Sequence, residues 1–186
     1  LAPRDAERLG LTLAGAHQLE NAALAVAAAR ALGAGEDAVR TGLSRLRWPG
    51  RFEVAGDVVL DGAHNDSSAA ALARTLRAHA GSREIRLVLG LNRDKDARAV
   101  LRPLLGLARS VHATRASGSP RALDPTAIAA LCGDVPAHVH PSVGAAIEAA
   151  RGAAAGGGIV CVTGSLALVG EARDALGLPV PERLWD

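Results

Sequence analysis

One short stretch decides the fold class of this chain: residues 58–65 read VVLDGAHN. Its three aliphatic residues predict a buried strand, and the polar loop that follows begins with a carboxylate and a glycine. Residues 67–80, SSAAALARTLRAHA, then place apolar side chains at helical spacing. A strand, a polar loop and an amphipathic helix in this order are typical of a βαβ unit in a parallel sheet.

The same alternation of strand and helix continues along the chain. The predicted strands are Phe52–Val54, Val58–Leu60, Ile85–Leu89, Val111–Thr114, Ala137–His140 and Ile159–Val162. The predicted helices are Ser67–Ala80, Ala97–Ala108, Thr126–Leu131, Val143–Ala154 and Leu166–Leu176. We therefore predict an α/β fold in which a mostly parallel sheet carries helices on both faces.

The first 47 residues follow a different pattern. The alanine-rich run Glu20–Leu32 predicts a helix, because alanine is the best helix former, and the glycines that follow predict its end. A second helix is expected over Glu36–Leu46. The sequence Trp48-Pro49-Gly50-Arg51 then breaks the pattern. We place a boundary there, between a helical segment at 1–47 and a domain at 48–186.

Composition excludes several classes of function. The chain has 186 residues, 49% of them hydrophobic, which fits one domain or one domain plus a fragment. Only 2% are aromatic and the arginines are scattered, so we expect no nucleic-acid partner. No apolar stretch is long enough to predict a membrane span, and residues 1–10 lack the layout of a signal peptide. Two isolated cysteines indicate a reducing, cytoplasmic location.

Two further absences are informative. The chain contains no methionine, even at position 1, so we expect a mature form or a piece of a longer protein. No G-x-G-x-x-G follows a predicted strand, and no G-x-x-x-x-G-K-[ST] occurs, which argues against an ordinary NAD site and against a Walker loop.

Ligands of parallel sheets bind at the carboxyl ends of the strands, so the loops there hold the candidate site residues. Asp61 can accept hydrogen bonds from both hydroxyls of a ribose, and His64 can contact a nucleotide. Alternatively, Asp61 and Asn65 cap the next helix. Arg51 can bind a phosphate in a cleft between domains, or it is an exposed boundary arginine.

Other strand-end loops offer weaker candidates. Asp94-Lys95-Asp96 contains the one lysine of the chain and can hold an amino acid or lie near a magnesium–phosphate centre, or it can be a solvated charge run that caps a helix. Arg121 can bind a substrate carboxylate, and Ser165 follows the last strand at a helix start that suits an anion. His138 and His140 alternate on one strand, but no carboxylate accompanies them, so we predict no metal ligands in this chain.

Four blocks of sequence together resemble one family. They are residues 15–23 (GAHQLENAA), 48–53 (WPGRFE), 60–65 (LDGAHN) and 163–171 (TGSLALVGE), with Asp94-Lys95-Asp96 between the last two. In this order they resemble the C-terminal part of the folylpolyglutamate synthase/dihydrofolate synthase family, which belongs with the ATP-dependent Mur-type ligases. The resemblance implies a Rossmann-like C-terminal domain over 48–186, preceded by the helical tail of a central ATPase domain over 1–47.

The resemblance also implies roles for individual residues. Asn21 would contact the adenine side of ATP, Arg51 its phosphates and Asp61 its ribose. His64 would lie beside the nucleotide or the incoming glutamate, and we name His64 and Lys95 as candidate catalytic residues. The remaining candidates, which would bind substrate, are Asp94, Asp96, Arg121 and Ser165.

The activity that the resemblance implies is amide formation between L-glutamate and folate or dihydropteroate. ATP first phosphorylates the carboxylate, and the glutamate amine then attacks the acyl phosphate. ATP and magnesium are the implied cofactors, with the P-loop and the magnesium ligands in an N-terminal region that this chain lacks. The chain alone is therefore expected to be inactive, its partner is the N-terminal ATPase domain of the same protein, and the enzyme is expected to be a monomer.

Two departures from the family pattern concern the shape of the glutamate pocket. Asp66 stands where the family usually has a proline, and Ala167 where it often has an aromatic residue. Two alternatives remain at this point: a Mur ligase acting on a peptidoglycan precursor, against which Gly62 argues because those ligases usually have tyrosine there, and a non-catalytic α/β module that binds a nucleotide or a partner.

Overall fold

The computed structural model describes residues 10–154 and 156–179, which are organised around a six-stranded sheet. Its strands are β1 (Glu53–Ala55), β2 (Val58–Asp61), β3 (Ile85–Leu89), β4 (Ala108–Ala113), β5 (Ala137–Val139) and β6 (Ile159–Thr163). Their order across the sheet is β1-β2-β6-β3-β4-β5. Only the β1–β2 pair is antiparallel, and the other four pairs are parallel. The predicted α/β class with a mostly parallel sheet is confirmed.

Seven helices accompany the sheet in the described part of the chain. They are α1 (Ala16–Ala31), α2 (Glu36–Arg45), α3 (Asp66–Ala80), α4 (Ala97–Leu105), α5 (Pro125–Ala129), α6 (Val143–Ala153) and α7 (Leu166–Ala175). Each helix from α3 to α7 begins at a side chain that accepts a backbone N–H of its first turn, namely Asn65, Asp96, Asp124, Ser142 and Ser165. These caps start the helices directly after the strand-end loops, which keeps the loops short.

The two faces of the sheet bury two separate cores, because successive side chains of a strand point to opposite faces. One core lies under α3, α4 and α5 and contains Val59, Leu87 and Leu89 of the strands. The other lies under α6 and α7 and contains Leu60 and Val88. The sheet is thus covered on both sides, as the apolar strands predict.

The two amino-terminal helices form a third, small cluster around Ala22, Val26, Val39 and Leu43. Along α1 only Ala22 and Val26 are buried, although the helix is apolar nearly all round. Leu24 is 72% exposed. A separate cluster agrees with a boundary near residue 47, but no observation tests the division at 47/48, which stays a prediction.

Most element boundaries lie within a few residues of the predicted ones. Helix α1 begins at Ala16 instead of Glu20, because Gly15, whose φ is 104°, precedes the helix and no residue between Ala16 and Glu20 interrupts it. Helix α4 ends at Leu105, before Gly106. Strand β4 begins at Ala108 instead of Val111, because Ala108 already pairs with Ile85 of β3.

The predictions for residues 1–9 and 180–186, including the missing signal-peptide layout and the outer ends of both proposed domains, lie outside the described residues. Within the described ranges, none of the helices combines the length and the apolar character that a membrane crossing requires.

Candidate functional site

A cavity of about 420 Å³ lies between the amino-terminal helices and the carboxyl end of β2. Its polar lining comes from four separate parts of the chain: His17, Gln18 and Asn21 on α1, Arg51 in the turn before β1, Asp61 at the end of β2, and Ser68 on α3. Three of the four residues predicted to bind a nucleotide therefore line one cavity. His17 and Gln18, which adjoin Asn21 in the same sequence block, were given no role from sequence.

The turn that carries Arg51 is tied to the loop after β2. The N–H of Gly62 donates to the carbonyl of Gly50 at 2.9 Å, and the N–H of Phe52 donates to Oδ2 of Asp61 at 2.9 Å. Phe52 has a φ of 47°, which is left-handed and costs a residue with a side chain roughly 1–2 kcal/mol. Its ring is buried in the core, and one edge contacts the exposed His79 at a centroid distance of 5.5 Å.

Asp61 is only 8% exposed, and both of its carboxylate oxygens accept backbone N–H groups. Oδ2 accepts from Phe52 and Oδ1 accepts from Ala63, each at 2.9 Å. Burial raises the pKa of Asp61, while these two N–H groups and the nearby charges of Arg51 and His17 oppose the increase. The alternative that Asp61 caps the next helix is wrong, because Asn65 alone does so.

Arg51 is half-buried and borders both this cavity and a second one of about 380 Å³ on the other side of the turn. Among the ion pairs found in the described ranges, none involves Arg51. Its guanidinium therefore remains available to an anionic ligand. Asn21 is exposed at the cavity and donates to Oε1 of Gln18 at 3.3 Å.

His64 lies in the same loop as Asp61 but does not line the cavity. Its Nδ1 is 2.8 Å from the carbonyl oxygen of Gly62. Because a carbonyl can only accept, the proton of the neutral ring resides on Nδ1, and Nε2 has a free lone pair. The imidazole is half-buried, so this nitrogen can act as a base toward a ligand.

The loop after β3 shows the helix cap and the solvated charge run considered from sequence, and its substrate-binding role stays a prediction. Asp96 caps α4 by accepting the N–H of Ala99 at 3.1 Å. Lys95 pairs with Asp94, with Nζ 3.0 Å from Oδ2, and both side chains are partly exposed. The pKa of Asp94 is lowered, mainly by its hydrogen bond with Lys95. Ser165 is buried and caps α7 through its Oγ, which accepts the N–H of Leu168.

A further cavity, of about 570 Å³, opens at the carboxyl ends of β3, β4 and β5. Its polar lining includes Arg93, Arg115 and Glu171, none of which was a candidate from sequence. Glu171 accepts hydrogen bonds from Oγ of Ser117 at 2.7 Å and from the N–H of Gly118 at 3.0 Å, which offset its charge.

Sequence reasoning had marked the loops of this cavity but selected Arg121 within them. Arg121 is exposed and does not line the cavity, although its carbonyl accepts the N–H of Arg93 at 2.8 Å. The signal that could have identified Arg93 and Arg115 is their position, directly after two neighbouring parallel strands.

His112 on β4, His138 on β5 and His140 directly after β5 form a cluster that lines none of these three cavities. His112 Nδ1 lies 3.0 Å from His140 Nε2, and the rings of His112 and His138 are 5.4 Å apart. Across the described residues, no group of three or more histidine, cysteine or acidic side chains has a geometry suited to a metal ion.

The comparisons with known proteins agree with this geometry. The family described as "Mur ligase, glutamate ligase domain" matches residues 50–166. The chain is 39% identical to a probable bifunctional folylpolyglutamate synthase/dihydropteroate synthase of Halobacterium salinarum, over 88% of this chain and 20% of that protein. It is 42% identical to the dihydrofolate synthase/folylpolyglutamate synthase of Mycobacterium tuberculosis, over 67% of this chain and 27% of that protein.

A solved structure, Mycobacterium tuberculosis folylpolyglutamate synthase complexed with ADP, superposes with a TM-score of 0.84 at 34% identity. The match covers 92% of this chain and 42% of that one. This chain thus spans well under half the length of the relatives that it matches. The family match covers more than half of the chain, and the parallel sheet with its strand-end loops agrees with it, so this chain belongs to the Mur ligase family through its glutamate ligase domain.

Proposed function

We propose that this chain is the C-terminal part of an ATP-dependent ligase that joins L-glutamate to folate or dihydropteroate. The observation that carries the proposal is the cavity of about 420 Å³, where Asn21, Arg51 and Asp61 meet from three separate sequence blocks. Similarity to folylpolyglutamate synthases, one of them solved with ADP, supports a nucleotide as the occupant.

In this proposal Asn21, Arg51 and Asp61 each bind a different part of ATP. The amide of Asn21 hydrogen-bonds the adenine, the free guanidinium of Arg51 binds phosphate oxygens, and Asp61 accepts from the ribose hydroxyls. A carboxylate has about four acceptor sites, so the two N–H groups that already contact Asp61 leave room for a hydroxyl.

Glutamate is assigned to the cavity of about 570 Å³, because Arg93 and Arg115 offer two cations to its carboxylates. One strand, β6, separates β2 from β3, whose following loop carries Arg93, so this cavity begins roughly 10 Å along the sheet edge from Asp61. Ser165 follows β6 and lies in the interval, and Asp94–Asp96 continue the loop of Arg93. Arg121 adds a further cation at the rim.

The proposed reaction proceeds in two steps. A carboxylate oxygen of the pterin substrate attacks the γ-phosphorus of ATP, and the bond to the bridging oxygen breaks to release ADP. The glutamate amine then attacks the acyl carbon, phosphate leaves, and the amine loses a proton. His64 is the proposed acceptor of that proton through Nε2, and Lys95 is proposed to stabilise charge on the phosphoryl group.

Several parts of this enzyme would lie outside the chain. A Walker loop and the magnesium ligands are assigned to an N-terminal ATPase domain, because the sequence contains no Walker loop. The exposed apolar side chains of Leu24 on α1 and of Leu32 directly after it suit contact with that domain. We expect the chain alone to be inactive and the whole enzyme to act in the cytoplasm as a monomer.

An ADP-release assay on the full-length protein tests the proposal. It compares 7,8-dihydropteroate, tetrahydrofolate and a UDP-muramoyl peptide, each with L-glutamate and Mg-ATP. We expect turnover with at least one pterin and none with the muramoyl peptide. Turnover with neither pterin would refute the proposed substrate class.

A matched pair of variants tests the phosphate contact. Arg51→Ala should raise the KM for ATP or lower kcat by about tenfold or more, because a charge-assisted contact is lost. Arg45→Ala, which removes an exposed arginine of α2, is the control and should behave like the wild type.

A further inference from the structure

Arg51 is held from both sides by the segment that contains Asp61. On one side the carbonyl of Gly50 accepts the N–H of Gly62, and on the other the N–H of Phe52 donates to Oδ2 of Asp61, both at 2.9 Å. Oδ1 of the same carboxylate accepts the N–H of Ala63, also at 2.9 Å. With an N–H on each oxygen, the carboxylate is fixed in its plane.

The contact with Phe52 maintains an unfavourable backbone. Phe52 is the one residue other than glycine with a positive φ in the described ranges, at 47°. Without a partner for its N–H, the backbone would gain by returning to a negative φ. Since Phe52 directly follows Arg51, that change would rotate the peptide between them and redirect the guanidinium away from the cavity.

We propose that Asp61 is a positioning residue for Arg51: its carboxylate holds the left-handed backbone of Phe52 and thereby directs the guanidinium toward the phosphates of the ligand. This role rests on the proposed nucleotide site and is additional to the ribose contact proposed there. This role gives the carboxylate of Asp61 a function at a position where burial disfavours its charge and where a bound triphosphate would add further negative charge.

The substitution Asp61→Asn separates the two roles of the side chain. The amide keeps the size of the carboxylate but replaces one acceptor oxygen with an NH2 group. That group cannot accept a hydrogen bond, so either Phe52 or Ala63 loses its partner. The matched control is Asp66→Asn, the same change five residues later, at an exposed carboxylate that pairs only with Arg102 among the described residues.

The test measures the Kd of ATP and of inorganic tripolyphosphate for the full-length protein by calorimetry. Tripolyphosphate has no ribose, so a direct ribose contact cannot affect its binding. The proteins are the wild type, Asp61→Asn, Arg51→Ala, the double variant, Asp66→Asn and Asp61→Ala. We expect Asp61→Asn to weaken tripolyphosphate binding about tenfold, the double variant to bind no more weakly than Arg51→Ala, and the control to match the wild type.

Two results would overturn the role of Asp61. One is unchanged tripolyphosphate binding both in Asp61→Asn and in Asp61→Ala, which removes the acceptors of Phe52 and Ala63 together, and the other is an effect that adds fully to that of Arg51→Ala. Failure of the wild type to bind ATP would instead refute the proposed function and this role with it. An independent readout is amide hydrogen exchange: the N–H of Phe52 should be protected in the ligand-free wild type and should exchange faster in Asp61→Asn. An unprotected Phe52 amide in the wild type would also overturn the proposal, whether or not the variant folds.

Discussion

The buried histidine on β4 makes the stability of this protein depend on pH. His112 is 3% exposed, its Nε2 lies 3.2 Å from Oγ of Ser110, and its Nδ1 lies 3.0 Å from Nε2 of His140. Burial lowers the pKa of His112 to about 4, and the charges of His140, His138 and Arg86 act in the same direction. Helix α6 covers this face with apolar side chains, and its Glu148 and Arg151 are exposed.

The sign of the effect follows from where the proton binds. An unfolded histidine has a pKa near 6.5, so between about pH 6.5 and pH 4 the unfolded chain binds a proton that folded His112 does not. The free energy of unfolding therefore falls as the pH is lowered through this range and is fully restored above it. For the two pKa values, His112 accounts for a loss of about 2 kcal/mol between pH 7.5 and pH 5.

The perturbation is His112→Gln, which removes the titrating group but keeps a planar side chain that can hydrogen-bond Ser110 and His140. Urea unfolding followed by far-UV circular dichroism at pH 7.5 and pH 5 gives the free energy of unfolding. We expect the wild type to lose about 2 kcal/mol more than the variant over this interval. The control His79→Gln, at an exposed histidine outside the cluster, should keep the wild-type difference.

His140 and Asp61 also have shifted pKa values, and comparing the wild type with His112→Gln cancels the contribution of both. Burial lowers the pKa of His140, which adds a loss of the same sign. Burial raises the pKa of Asp61, so its protonation favours the folded state on acidification and acts in the opposite sense. Both groups are present in the wild type and in His112→Gln. A difference between the two proteins below about 0.5 kcal/mol would refute the assignment to His112.

Three further predictions concern packing and reactivity. Gly164→Ala should lower the free energy of unfolding by more than about 1 kcal/mol in urea titrations, because its φ is 114° and a Cβ would lie 2.5 Å from the carbonyl oxygen of Gly90. Leu76→Ala should lower the melting temperature and cost about 2–5 kcal/mol, since Leu76 is fully buried, whereas Leu24→Ala on the exposed side of α1 should change stability by less than about 1 kcal/mol. Burial raises the pKa of the Cys161 thiol, so it should react with a disulfide reagent in urea but not in the native protein, and rapid native reaction would contradict its burial.

Much of the fold could be predicted from local patterns. The run at 58–60 was predicted as a buried strand and is one, and the helix predicted over Thr126–Leu131 is present at Pro125–Ala129, where Asp124 caps it and Pro125 opens it. The boundaries that sequence reasoning misplaced, such as the start of β4 at Ala108, depend on pairing with β3. Strand pairing is a non-local contact, so no window of sequence around Ala108 contains it.

The sequence identified several residues of the candidate site but not how they contact one another. Arg51 and Asp61 were identified because they lie in a breaker motif and at a strand end. The sequence could not show that the Asp61 carboxylate supports the left-handed backbone of Phe52, because this support is a hydrogen bond between residues nine positions apart. Arg93 and Arg115 were overlooked because only the order of strands in the sheet makes their loops neighbours.

The sequence by itself determined the α/β class, the alternation of its elements and the loops in which site residues lie, because hydrophobic period and capping act over a few residues. The tertiary structure decided which of those loops share a cavity. Asn21 and Asp61 line one cavity only because α1 packs against α3, the helix that follows β2, and His112 is buried only because α6 covers its strand. Burial and the approach of distant residues arise only when the chain packs. They determine which side chains are charged and which hydrogen bonds the site residues form.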